Sequence, residues 1–194
     1  MTLRPDISNK LIHFTKGDSE ESAYNNLRKI IESGVLYGNV SQYIRGQYKC
    51  VCFTEAPLEA CKSGFVNYND FSRYSLFGIM FDKKWIFDQG GRPVIYQPEG
   101  EFYLLPEQLR WRHVRFEPDL IDWTWEREWR APCEELPLYP EVANIVVPTE
   151  RWAVRLRDEH AFEQDCKVEG YKLMMDESLA EYYREPFVWT VYFF

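Results

Sequence analysis

Leu11-Ile12-His13-Phe14-Thr15 is a short apolar run that reads as a strand, and the chain behind it turns at once into a helix. Lys16-Gly17 makes the turn. Asp18 suits the N-cap, with Glu21 three residues on at the reciprocal capping spacing. Ala23, Leu27, Ile30 and Ile31 then share one helical face, and Gly34 sits where a left-handed cap ends a helix over residues 19–33. Working outward, strands are expected at Cys50-Val51-Cys52-Phe53-Thr54, at residues 76–81, at Pro93-Val94-Ile95-Tyr96, and over residues 144–147 and 188–194. Pro57 opens a short helix over residues 58–62, a polar loop covers 63–75, and the stretch between the last two strands has no firm assignment. Many short strands with few helices between them predict an α+β fold with mostly antiparallel pairing, in one domain over residues 1–194.

The chain has 194 residues, with 7 Trp, 13 Tyr and 13 Phe. That aromatic load favours strands and supplies stacking surface for a planar ligand. A net charge of −8 argues against a general nucleic-acid coat or an anionic-membrane binder, because no overall positive field draws phosphate in. Five irregularly spaced cysteines in a chain of this size read as reduced thiols. Residues 1–10 lack the apolar core of a signal peptide, and no apolar run approaches the roughly 20 residues of a membrane span. A soluble, cytoplasmic protein is the expectation.

Asp122-Trp123-Thr124-Trp125-Glu126-Arg127-Glu128-Trp129-Arg130 carries the densest chemistry. Read as one strand, it sets Glu126, Glu128 and Arg130 on one face and Trp125, Arg127 and Trp129 on the other. A carboxylate held by an arginine and walled by indoles can stabilise a developing cation or orient a hydroxyl. The plainer alternative is an edge strand with cross-strand ion pairs. On the first strand, His13 and Thr15 point the same way and could hydrogen-bond a ribose; a core histidine satisfied by backbone is the competing account. Residues 109–116, read as a strand, offer Arg110 and Arg112 on one face with Trp111, His113 and Arg115 on the other. That is either a phosphate track with stacking or a solvated face. Cys50, Cys52 and Cys61 lack the paired spacing of a zinc knuckle and read better as small buried side chains. No Gly-rich phosphate loop or nucleophile elbow is present.

In order along the chain, His13-Phe14-Thr15, the helix with Tyr24-Asn25-Asn26-Leu27, and Cys52-Phe53-Thr54-Glu55 resemble the start of DarT-like ADP-ribosyltransferases. They also resemble poorly characterised bacterial abortive phage-resistance proteins of AbiGi type. Phe77-Gly78-Ile79-Met80-Phe81-Asp82-Lys83, Pro93-Val94-Ile95-Tyr96 and Glu126-Arg127-Glu128-Trp129-Arg130 match the second group further on, so the likeness spans residues 11–130. The asparagine-alanine-arginine element of the DarT proteins is absent, and Arg45 or Arg73 would have to stand in for it.

The resemblance implies a split, mostly antiparallel sheet with a few flanking helices, cradling NAD. His13, Phe14 and Thr15 would bind NAD, Phe53 and Thr54 would line the nicotinamide side, and Glu128 would be the catalytic carboxylate. Glu126 would orient the attacking group, and Arg130 would pair phosphate or lock Glu128. Departure of an already cationic nicotinamide needs a fixed anion and a dry, flat slot more than acid catalysis. The implied activity is ADP-ribosyl transfer or NAD hydrolysis in anti-phage defence or as a toxin. Protein or nucleic acid would be the acceptor, an antitoxin or phage protein a possible partner, and no membrane or metal is involved. Two other classes compete: a non-catalytic sensor or adaptor binding a nucleotide or phage component, and a metal-dependent nuclease using Glu126, Glu128 and His113.

Overall fold

A computed structural model of the chain describes residues 7–41, 43–65 and 75–194. In chain order its elements are β1 (Lys10–Phe14), α1 (Glu20–Ser33), β2 (Val35–Tyr37), β3 (Cys50–Thr54), α2 (Leu58–Ala60), β4 (Gly78–Asp82), α3 (Lys83–Asp88), β5 (Arg92–Pro93) and β6 (Ile95–Gln97). There follow β7 (His113–Arg115), β8 (Glu128–Pro132), β9 (Glu135–Pro137), β10 (Ala143–Val147), α4 (Glu150–Lys172), α5 (Glu177–Tyr182) and β11 (Val191–Phe193). The main sheet has the order β11-β10-β4-β1-β3-β8-β5. Its pairs are antiparallel except β10 with β11. Two small ribbons, β2 with β9 and β6 with β7, complete a mixed α and β architecture with a mostly antiparallel sheet.

Strand parity sorts the core. Leu11, Val51, Phe53, Ile79, Phe81, Trp129, Ile145 and Val147 form one face, packed under Ala23, Tyr24 and Leu27 of α1 and Ala153 and Leu156 of α4. Burying each of the large side chains contributes roughly 1.5–3 kcal/mol. The opposite face holds Ile12, Phe14, Met80 and Val146 under Ala56 and Cys61, and, further along, Cys50 against Ile44 and Trp111. Helix α1 ends at Gly34 (φ 66), whose N–H reaches Ile30 O and Ile31 O. Its N-cap is Ser19, not Asp18: the Ser19 hydroxyl accepts from Ser22 N, one residue nearer the apolar face. Helix α4, unassigned from sequence, has a narrow buried stripe and is fastened to α1 by charge. Arg155 donates to both carboxylate oxygens of Glu21 at 2.6 Å, and Tyr24 donates to Glu159 at 2.7 Å.

Three expected strands are broken. The run from Asp122 is not one strand: residues 124–126 form a 3-10 turn, Arg127 adopts φ 45, and the ladder starts only at Glu128. Asp122 causes this, its carboxylate accepting from Thr124 N at 2.8 Å and from the Thr124 hydroxyl. That local bonding competes with a ladder. Glu126 therefore does not share a strand face with Glu128. Residues 107–112 likewise form a 3-10 turn after Pro106, leaving only β7 extended, so Arg110 and Arg112 are not on a strand. Pro93-Val94-Ile95-Tyr96 divides between β5 and β6. Most of the expected loop 63–75, Arg73 included, lies outside the described residues.

Candidate functional site

Glu128 and Thr54 are direct cross-strand partners, as are Arg130 and Cys52. Arg130 is 2 % exposed and Glu128 14 %. The guanidinium grips the carboxylate twice, Nε to Oε1 at 2.8 Å and Nη2 to Oε2 at 3.2 Å, while Nη1 donates to Trp111 O and His113 O. With each of its three nitrogens engaged and the side chain buried, Arg130 locks Glu128. Thr54 is also committed: its hydroxyl donates to Glu126 O at 2.6 Å and accepts from Ala56 N at 3.0 Å. Burial pushes the neighbouring thiols up, Cys50 to about 12, and Cys52 rises further beside the Glu128 carboxylate. Trp125 and Trp129 do not stand beside Glu128 on one strand as expected. Trp129 turns to the other face and donates to Glu55 at 2.6 Å, and Trp125, 39 % exposed, tilts against Trp123 in the turn.

His13 belongs to the opposite face, its ring edge-on to Phe53 at 6.1 Å. Beyond the Ile12–Thr54 pair β1 and β3 share no further Cα partners, and the imidazole spans the opening, with Nδ1 2.8 Å from Cys52 O. A carbonyl only accepts, so Nδ1 carries the proton and Nε2 is left as an acceptor. Burial, opposed by that bond and aided by Lys16, holds the His13 pKa below its ordinary value, so the ring is neutral at physiological pH. It opens on a groove of about 360 Å³ between the end of α1 and β2. Lys29, Ser33, Tyr37 and Asn39 give the groove its polar groups, and Ile30 and Leu36 give it an apolar floor. Those groups are not legible as a set in sequence. Each is an ordinary surface residue, and only the return of the chain through β2 brings them to His13.

The remaining candidates are structural. Thr15 is 4 % exposed, its hydroxyl shared among Ala23 O, Phe77 O and Ser75. Phe14 and Phe53 are core residues on opposite faces. Arg45, the described stand-in for the DarT arginine, pairs with Glu99 and stacks on Phe102. The structure thus brings Glu128, Arg130 and Thr54 together but does not bring His13 to them. Phase is the physical reason: His13 is odd where Ile12 pairs Thr54, so its side chain exits the other way.

Among the described residues no three His, Cys, Asp or Glu side chains converge as metal ligands, and no helix is long and apolar enough to cross a membrane. No protein-family model matches the chain, and neither the curated proteins nor the solved structures give a match.

Proposed function

We propose that this chain binds a nucleotide, NAD foremost, in the groove at His13, as a sensor or adaptor module of bacterial phage defence. One observation carries the reading: a neutral imidazole, fixed by Cys52 O, lines a groove together with the cation of Lys29. A ribose hydroxyl can donate to Nε2, Lys29 can meet the pyrophosphate, and the exposed Tyr37 ring can stack on a base. About 360 Å³ lies at the low end for ligand sites, enough for one nucleoside arm with the other lying open to solvent. The opening of the sheet between β1 and β3 supports the split-sheet comparison made from sequence, and the defence setting rests on that resemblance alone. Calorimetric titration with NAD and ADP-ribose tests it: binding by the native chain and about tenfold weaker binding by His13→Ala are expected, and no heat from either ligand would overturn it.

A second reading, ADP-ribosyl transfer or NAD hydrolysis at Glu128, has one observation in its favour. Glu128 is the direct cross-strand partner of Thr54 on β3 and β8, and the resemblance implies Thr54 on the nicotinamide side and Glu128 as the catalytic acid. Nicotinamide release that disappears in Glu128→Gln would establish it over the binding reading, and would leave protein, nucleic acid or water as the acceptor to be found.

A further inference from the structure

Arg28, Arg45, Arg115, Arg130, Arg155 and Arg184 all rest on Asp or Glu. Arg92 and Arg112 do not. Arg92 lies in the two-residue edge strand β5, where Nη1 donates to Phe87 O at 2.8 Å and Gly91 O at 2.7 Å and the guanidinium lies 3.8 Å from the Phe87 ring centre. Arg112 reaches the same strand from the 3-10 turn, its Nε donating to Pro93 O at 2.9 Å. Both guanidinium groups are therefore fixed by backbone carbonyls around the edge strand β5, half-exposed, with no carboxylate partner among the described residues. Their mutual field is felt: burial first, then Arg92, holds the Arg112 pKa below its ordinary value. Among the described residues, both Nη groups of Arg112 and the Nε and Nη2 of Arg92 keep donors with no acceptor.

Like charges held together with unfilled donors are what an oxyanion resolves. We infer that Arg92 and Arg112 form a binding site for a single phosphoryl group, free phosphate or the terminal phosphate of a small nucleotide. A nucleic-acid strand is a poor fit, since this pair of arginines on a chain of net charge −8 offers no extended track. This site is separate from the His13 groove. β5 is three interstrand steps from β1, about 14 Å of backbone.

Titration of the whole chain with inorganic phosphate, AMP and ADP, followed by ³¹P NMR line broadening and thermal shift, tests the inference. The native chain should bind, and Arg92→Gln and Arg112→Gln should each weaken inorganic phosphate binding at least tenfold. Circular dichroism fixes that each variant is folded, and Arg112→Gln without phosphate should melt no lower than native, having shed a repulsion. AMP binding tighter than phosphate assigns a nucleotide, equal affinity assigns the free anion, and either supports the site. No phosphate response, a response in both arginine variants as strong as in the native chain, or preference for an oligonucleotide over AMP would overturn it. Loss of NAD binding alone, with phosphate binding intact, would sink the His13 reading and leave this one standing.

Discussion

His13 and Glu128 stand on opposite faces of one sheet, with only strand β3 between their own strands. A ligand seated against the imidazole therefore touches neither the Glu128 carboxylate nor its arginine. We expect His13→Ala to weaken NAD about tenfold, the worth of one hydrogen bond near 1.4 kcal/mol, and Glu128→Gln to leave the dissociation constant within twofold. Calorimetry on the two variants separates the faces. Equal losses in both would mean that one ligand bridges them.

The Glu128–Arg130 pair should prove to be a folding element. Arg130→Ala would strand a nearly buried carboxylate and two carbonyl oxygens, Trp111 O and His113 O, at once. Breaking such a pair from one side costs about 3–5 kcal/mol. Glu128→Gln keeps an acceptor for the guanidinium and should cost less, about 1–2 kcal/mol. Urea unfolding measures both, and an Arg130→Ala variant as stable as native would show that water already satisfies the site.

Much of the frame was readable because it is local. The apolar run at Leu11 gave β1, the 3.6-residue spacing from Ala23 to Ile31 gave α1, and Gly34 marked its end. The site was less readable, since neither of its two determinants shows in the alternation of side chains. Asp122 folds the residues after it into a turn through a side-chain bond, so alternation from Trp123 to Glu128 had no ladder to act on. The register between β1 and β3, which decides the face of His13, depends on a partner forty residues away. Helix α4 hid because its polar surface is stitched to α1 by Arg155 and Glu159 rather than by an apolar stripe.

Stability should fall as pH drops below about 6.5. The folded His13 pKa lies under its ordinary value, so the unfolded chain takes up a proton before the folded one does. The loss begins at the unfolded pKa and is complete once pH passes below the folded one. Glu21 and Glu117, held low by Arg155 and Arg115, act in the same direction but only below the ordinary carboxylate range, so the windows are distinct. Urea midpoints between pH 7.5 and 5.5 should decline in the native chain and flatten in His13→Gln. A slope unchanged by the substitution would mean that the ring protonates freely when folded.

The thiols report on which face of the sheet opens. Cys166 is exposed on α4, whereas burial drives Cys50 and Cys61 up to about 12 and raises Cys52 and Cys133. Alkylation requires the thiolate, so at pH 7.5 one equivalent of iodoacetamide should add quickly, at Cys166, and the other four cysteines should react only in denaturant. Intact mass and peptide mapping give the count and the position. Cys52 is the informative residue, because it sits beside Glu128 on the face that catalysis would need. Native labelling of Cys52 would reveal an opening over that carboxylate and turn the argument toward glycosyl transfer. Its protection, together with NAD binding, would keep the chemistry of this chain at His13.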